Sequence, residues 1–247
     1  MKFHFCSTLF LAGAVVFPAI SFGAVITGSQ LHFSTSGTIG AASITFNCNQ
    51  PGDSTCLSTT LGDFAVNGST GTFSPYNGTF GLIRHINNSV QPLNQTFSLP
   101  SFIAFNLDGI ETIALTFIPL GTNPLSFSCA GLSHCTPQNL LLLTASNPQG
   151  ITEFNLDQNI NGTAFVFGVV GTVHDISGQT GVITGTFSAQ SVGDPQQAWS
   201  SAMGGSALSF DADLTVGDVT NVVPEPTSLV MVGMAGVGLL AFRRLHK

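Results

Sequence analysis

Three constellations in this sequence have residue types and spacings that could do chemistry. Asp211-x-Asp213, with Asp218 beyond it, puts two carboxylates on one face of an extended strand, because side chains two apart in a strand point the same way. Clustered carboxylate oxygens are what calcium takes, but the Asp-x-Asp-x-Asp-Gly loop is absent, so a solvated acidic face is the plainer reading. His174-Asp175 could orient an imidazole as in a catalytic triad. No Gly-x-Ser-x-Gly elbow accompanies it, and the many serines single out no nucleophile. Glu111, Glu153 and Asp157 are the acids from which a glycosidase pair, two carboxylates about 5–10 Å apart, would have to come. Nothing in their spacing brings two of them together. His32, His85 and His134 have no partner at i+2 or i+4 and make no zinc motif. Trp199 and Tyr76 are the only side chains of the kind that usually stack on sugars.

The elements that would position these residues read as strands. Residues 43–46 and 112–117 alternate with period two. Asn67-Gly68, Asn77-Gly78, Asp108-Gly109 and Asn161-Gly162 reach positive φ easily and mark turns. Residues 71–80, centred on Ser74-Pro75-Tyr76-Asn77-Gly78, are the best hairpin candidate. Residues 162–173 are apolar enough for a central strand buried on both faces, and with 182–189 they predict a long antiparallel hairpin. Residues 206–216 alternate Leu208, Phe210, Ala212, Leu214 and Val216 with polar neighbours, as a half-buried strand does. Only 140–143 and 196–203 suggest short helices. Regular short strands with turn punctuation predict an all-β fold, an antiparallel β-sandwich or jelly roll.

Charge narrows the function classes. Between residues 24 and 220 the only basic side chain is Arg84, against eleven acids. A surface with one cation cannot neutralise a run of phosphates, so nucleic acid is excluded as a partner. Lysine chemistry is excluded with it. With 21 Phe and only 7% charged residues, the chain can bury a core, the opposite of a disordered composition.

The two ends read as targeting segments. Residues 1–23 have one Lys, an apolar run and small residues at Ser21 and Gly23, the pattern of a secretory signal peptide cut before Ala24. Export to an oxidising compartment makes disulfides the natural fate of Cys48, Cys56, Cys129 and Cys135. Of three possible connectivities, two local pairs, each closing a short turn-rich loop, are expected, worth about 2–3 kcal/mol apiece. At the other end, Pro224-Glu225-Pro226 precedes the apolar run 227–242, then Arg243-Arg244. As a helix that run spans about 24 Å against a hydrocarbon core of roughly 30 Å, a marginal single transmembrane helix with its basic end inside.

Pro224, Glu225 and Pro226, the Gly-rich apolar run, and Arg243 and Arg244, in that order and with a signal peptide ahead, resemble the PEP-CTERM sorting signal of Gram-negative bacteria. The resemblance covers about the last 25 residues. It implies recognition of the Pro-Glu-Pro motif by exosortase, cleavage near it, and an exopolysaccharide or biofilm setting. The expected organisation is a signal peptide (1–23), an exported domain (24–220) and a sorting segment (221–247), inner-membrane anchored before processing. The expected role is non-enzymatic, without a cofactor: a structural or adhesive cell-surface or matrix protein, partnered by exosortase and by exopolysaccharide. The alternatives are a calcium- or glycan-binding module, or a secreted polysaccharide hydrolase.

Overall fold

The computed structural model describes residues 25, 27–49, 56, 59–105, 112–174 and 179–220. The signal peptide and the sorting segment expected from the sequence lie outside them. The first half of the chain supplies β1 (Gln30–Gly40), β2 (Ser43–Phe46), β3 (Leu61–Val66), β4 (Phe80–Arg84), β5 (Ile86–Asn87), β6 (Leu99–Phe105) and β7 (Thr112–Phe117). There follow β8 (Leu125–Ser126), β9 (His134–Pro137), β10 (Asn155–Asn159), β11 (Gly162–His174), β12 (Thr180–Ser191), α1 (Pro195–Met203) and β13 (Ala207–Thr220). The all-β, antiparallel expectation holds.

The sheet, however, closes on itself. Hydrogen bonding runs β1–β3–β4–β6–β7–β11–β12–β13, eight positions in chain order, and β13 returns to β1 with Leu31 opposite Leu214 and Phe33 opposite Ala212. This is an up-and-down barrel rather than a sandwich or jelly roll. Strand patterning cannot distinguish the two, because inward and outward residues alternate in both. The difference lies in which strands pair, and the closing pair joins the two ends of the domain.

Two positions in the ring are each filled by two strands in succession. The C-terminal part of β1 pairs with β2 (Gly37 opposite Phe46) and its N-terminal part with β3 (Phe33 opposite Val66). β2 and β3 therefore continue one line, interrupted by residues 47–60. Gly62 sits where the second piece resumes; a Cβ there would lie 2.4 Å from Phe46 Cβ. In the same way β11 pairs with β7 near its C-terminus and with β10 near its N-terminus, so residues 118–154 interrupt a second line. Each insertion carries one disulfide, Cys48–Cys56 and Cys129–Cys135, the two local pairs expected from the sequence.

Phenylalanines fill the lumen. Phe187 of β12 stacks on Phe167 of β11 at 4.9 Å and 9°, and packs on Phe33, Phe46 and Phe102 from β1, β2 and β6. Phe210 of β13 meets Phe46 and Phe167. Phe102 reaches this group through an irregularity in β6 between Leu99 and Ile103, where Ser101 adopts φ 50°. Gly81 makes room for Phe64, whose ring would lie 2.3 Å from a Cβ at that position. Inward and outward residues alternate along β11, with Phe165, Phe167, Val169 and Val173 buried and Ala164, Val166 and Val170 half-buried. Its expected burial on both faces is thus corrected: the outer face is partly covered.

The ends of the barrel are closed as well. At one, α1 lays the buried Ala198 and Ala202 and the half-buried Trp199 over Phe154 and Phe165. Asp194 caps this helix by accepting from the Gln197 backbone N–H at 2.9 Å, while the Gln197 side chain returns to Asp194 N–H, a reciprocal capping box. At the other, residues 71–76 form a 3-10 turn, Gly71–Tyr76, rather than the first strand of the expected hairpin. Pro75 cannot donate a ladder hydrogen bond, and Phe73 and Tyr76 instead pack on Phe105, with Tyr76 stacked on it at 4.0 Å.

Removing the central ring should be costly. Phe187→Ala is expected to destabilise the protein by about 3–5 kcal/mol, lowering the melting temperature by roughly 6–20 °C; a loss below about 1 kcal/mol in urea unfolding would show that the lumen is not packed as described.

Candidate functional site

The predicted acids fall in three different settings. Asp211 and Asp213 both lie on the outer face of β13. Asp213 is opposite His32 of β1, and its Oδ1 is hydrogen-bonded to His32 Nδ1; Asp211 is opposite Ser34. Asp218 is five residues beyond Asp213 on the same strand, about 16 Å at the rise of an extended chain, after a register shift between Val216 and Val219. The three residues are therefore strung along a strand. Among the described residues no three His, Cys, Asp or Glu side chains gather around a common point.

Asp157 of β10 pairs with a histidine that the sequence left isolated. β9 and β10 run antiparallel with His134 opposite Asp157. Asp157 Oδ1 lies 2.7 Å from His134 Nδ1 and accepts from Asn123 Nδ2 at 2.9 Å. The carboxylate fixes the imidazole through Nδ1, as an orienting acid does. Asp157 and the exposed His134 thus form an oriented carboxylate–imidazole pair on the surface. The signal that would reveal it is the β9–β10 pairing, which a 23-residue separation hides. His174 ends β11 with its Nε2 3.1 Å from Thr172 Oγ1, and Asp175 and Glu111 lie outside the described residues.

Glu153 is 3% exposed, at the end of the second insertion. Asn88 Nδ2 donates to its Oε1 at 3.4 Å, while Asn88 Oδ1 and Thr152 Oγ1 are buried without a partner. Burial raises the Glu153 pKa above its ordinary 4.5, opposed by its own backbone N–H and by Asn88. Asn88 also lines a hollow of about 240 Å³ with Ala42, Leu93, Leu141 and Leu142, beside the exposed Leu140 and Leu143.

Neither expected sugar platform is free on the surface. Tyr76 is buried against Phe105, and Trp199 is half-buried against Phe154 and Phe165.

A second concave site with convergent polar side chains lies on the outer wall, at the seam where β1 passes from β3 to β2. It is a hollow of about 270 Å³. Ser34 and Ser36 of β1, Ser209 of β13 and Asp63 of β3 line it, with Phe80 of β4 beside Ala65 and Asn49 of the first insertion as one wall. The wall is held by hydrogen bonds at every step. Asn49 N–H donates to Asp63 Oδ2 at 2.8 Å, Asn49 Nδ2 and Asn47 Nδ2 approach Ser36 Oγ at 2.8 and 3.0 Å, and Asp63 N–H donates to Asn47 O at 3.0 Å. Thr35 Oγ1 donates to the Asp63 carbonyl at 2.6 Å. The Cys48–Cys56 disulfide closes the insertion directly beside Asn49. Sequence reasoning counted Asp63 only as one more acid, because its partners come from an insertion and a neighbouring strand.

Compared with protein-family models, with curated proteins and with solved structures, the chain matches none.

Glu153 generates a prediction with a definite sign. The unfolded chain releases the Glu153 proton near pH 4.5, whereas the folded chain retains it to higher pH, so this group lowers stability as pH rises above that value. Glu153→Gln should melt higher than the parent near neutral pH, by about 2–4 °C per kcal/mol recovered, with the advantage vanishing toward about pH 4. A constant difference across a pH series of melting curves would contradict this.

Proposed function

We propose that this is an exported, non-catalytic cell-surface or matrix protein with a structural or adhesive role in an exopolysaccharide setting. The observation that carries the reading is the pair of disulfides. Each closes a short loop inside an insertion that leaves the barrel wall, and such bonds persist in oxidising compartments outside the cytoplasm. Delivery would begin with residues 1–23 and end with residues 221–247, whose Pro224, Glu225 and Pro226 resemble an exosortase recognition element and whose Arg243 and Arg244 would hold the tail on the inner side of a Gram-negative inner membrane before processing.

The barrel's own features support a binding or structural role over hydrolysis. Glu153 is buried and held by Asn88, and Asp157 is engaged by His134 and Asn123 at the surface; a retaining or inverting glycosidase needs its two acids facing a common bond. The lumen holds phenylalanine rings, so contacts with a partner belong to the outer wall and the insertions. The second insertion offers Leu140, Leu141 and Leu143 to solvent, with Leu141 72% exposed, in a stretch, residues 112–152, that contains no Asp, Glu, Lys or Arg. Exposed apolar clusters of this kind mark contact surfaces.

Three measurements test the reading. In a host with the sorting enzyme, the intact mass of the mature protein is expected to lack residues 1–23 and the apolar tail; a mass that still includes residues 239–247 refutes the processing step. Alkylation without prior reduction should label no cysteine of the exported protein. Reduction should lower its stability by about 2–3 kcal/mol per bond, and unchanged denaturant unfolding after reduction would remove the disulfides as supports of the fold.

A further inference from the structure

We propose that the seam hollow on the outer wall is a binding subsite for one neutral sugar ring. This rests on the polysaccharide-associated role above and gives it a place on the molecule. A pyranose presents C–H groups on one face and hydroxyls, each both donor and acceptor, around its edge. The hollow matches both halves. Phe80 is 40% exposed although every other phenylalanine of the barrel strands is buried or half-buried, and it stands outward on β4 at the rim, where an aromatic face can pack on C–H groups. Beside it lie the hydroxyls of Ser34 and Ser209, each both donor and acceptor as a ring of hydroxyls requires, with Ser36, Asn49 and the buried Asp63 bonded to one another behind them. A volume of about 270 Å³ suits one ring rather than an oligosaccharide.

The site is preorganised, which lowers the ordering cost of binding. Asp63 is 3% exposed and accepts from Asn49 N–H, and Asn49 is tied to Ser36. The split in the second barrel position makes the wall: without residues 47–60, β2 would run directly into β3 and the hollow would have no Asn49 side. Charge sets the class of sugar. Asp63 lies in the hollow and Asp211 beside it opposite Ser34, with no cation among the lining residues. A uronate or sulfated sugar would meet like charge there, whereas a neutral ring would not.

The test is an amide-resolved NMR titration of the mature exported protein with the methyl glycosides of glucose, galactose, mannose and N-acetylglucosamine, up to about 50 mM because one shallow subsite binds near the millimolar range. Glucuronate and calcium chloride are separate arms, and dextran distinguishes a ring within a polymer from a free one. The expected result is saturable shifts at Ser34, Ser36, Asn49, Phe80 and Ser209 with at least one neutral glycoside, and weaker binding of glucuronate. Phe80→Ala should weaken binding by at least about tenfold, and Ser209→Leu should abolish it by filling the hollow. If either variant misfolds, the shift map of the unsubstituted protein still decides. Absence of shifts with every glycoside and with dextran, shifts confined to another surface, glucuronate binding as tightly as glucose, or calcium alone moving these amides would each overturn the proposal. The mass test of sorting is independent, so failure of one leaves the other standing.

Discussion

A sheet that closes at eight positions encloses a lumen of nearly fixed size, and here that volume must be filled by side chains from every strand at once. Phe33, Phe46, Phe102, Phe167, Phe187 and Phe210 meet across it with ring centroids between 4.9 and 6.5 Å apart. Interiors packed to this density respond to the loss of a single ring, so the strands, their inward glycines and the irregularity that turns Phe102 inward are consequences of one packing problem. The same constraint decides where function can lie. With rings through its centre, the barrel offers its partners only an outer wall and whatever projects from it.

Two insertions interrupt the wall, and they do so by one device. A strand stops partway along its neighbour, the chain makes an excursion, and a second strand resumes on the same line: β2 to β3 against β1, and β7 to β10 against β11. An interruption of this kind costs the ladder bonds at the break and the entropy of the excursion. Each excursion answers with a disulfide close to its base or midpoint and with side-chain bonds back to the wall, Asn49 to Ser36 and Asp63 in the first, Asn139 to the Ala41 carbonyl and Cys129 to Gln196 in the second. The second insertion carries an unsatisfied polar group among its described residues. Its buried Glu153, the unpartnered oxygen of Thr152 and that of Asn88, which reaches Glu153 from beyond β5, are polar groups held at some cost.

Legibility in the sequence follows sequence distance. β2 and β7 are read to the residue from alternation, and the β11–β12 hairpin, α1 and the alternating β13 are read closely, because their signals are local periods and turn dipeptides. Both disulfides are local as well. Closure of the barrel is not local: His32 and Asp213 meet across a separation of 181 residues, and nothing in either strand's pattern names its partner. The expected hairpin at 71–80 fails for a related reason. Phe73 and Tyr76 are placed by Phe105 of a later strand, so tertiary packing overrides a turn signal that is itself correct at Asn77-Gly78. The seam hollow is hidden most thoroughly, since Asp63 and Phe80 belong to paired strands while Asn49 arrives from an excursion.

Charge and topology then converge on the kind of partner the wall can meet. Arg84, the one Lys or Arg between 24 and 220, is exposed and donates its Nε–H to the Ser101 carbonyl. A surface so poor in cations offers mainly hydroxyl, amide and carboxylate chemistry beside exposed apolar groups. The strand that ends the domain fixes how those groups face. β13 starts beside α1 and runs to Thr220 at the end of the barrel where β1 begins, and the seam hollow, lined by Ser34, Ser36 and Ser209, opens on the side wall between those two ends. Lateral access suits a polymer running past the molecule better than a ligand delivered end-on.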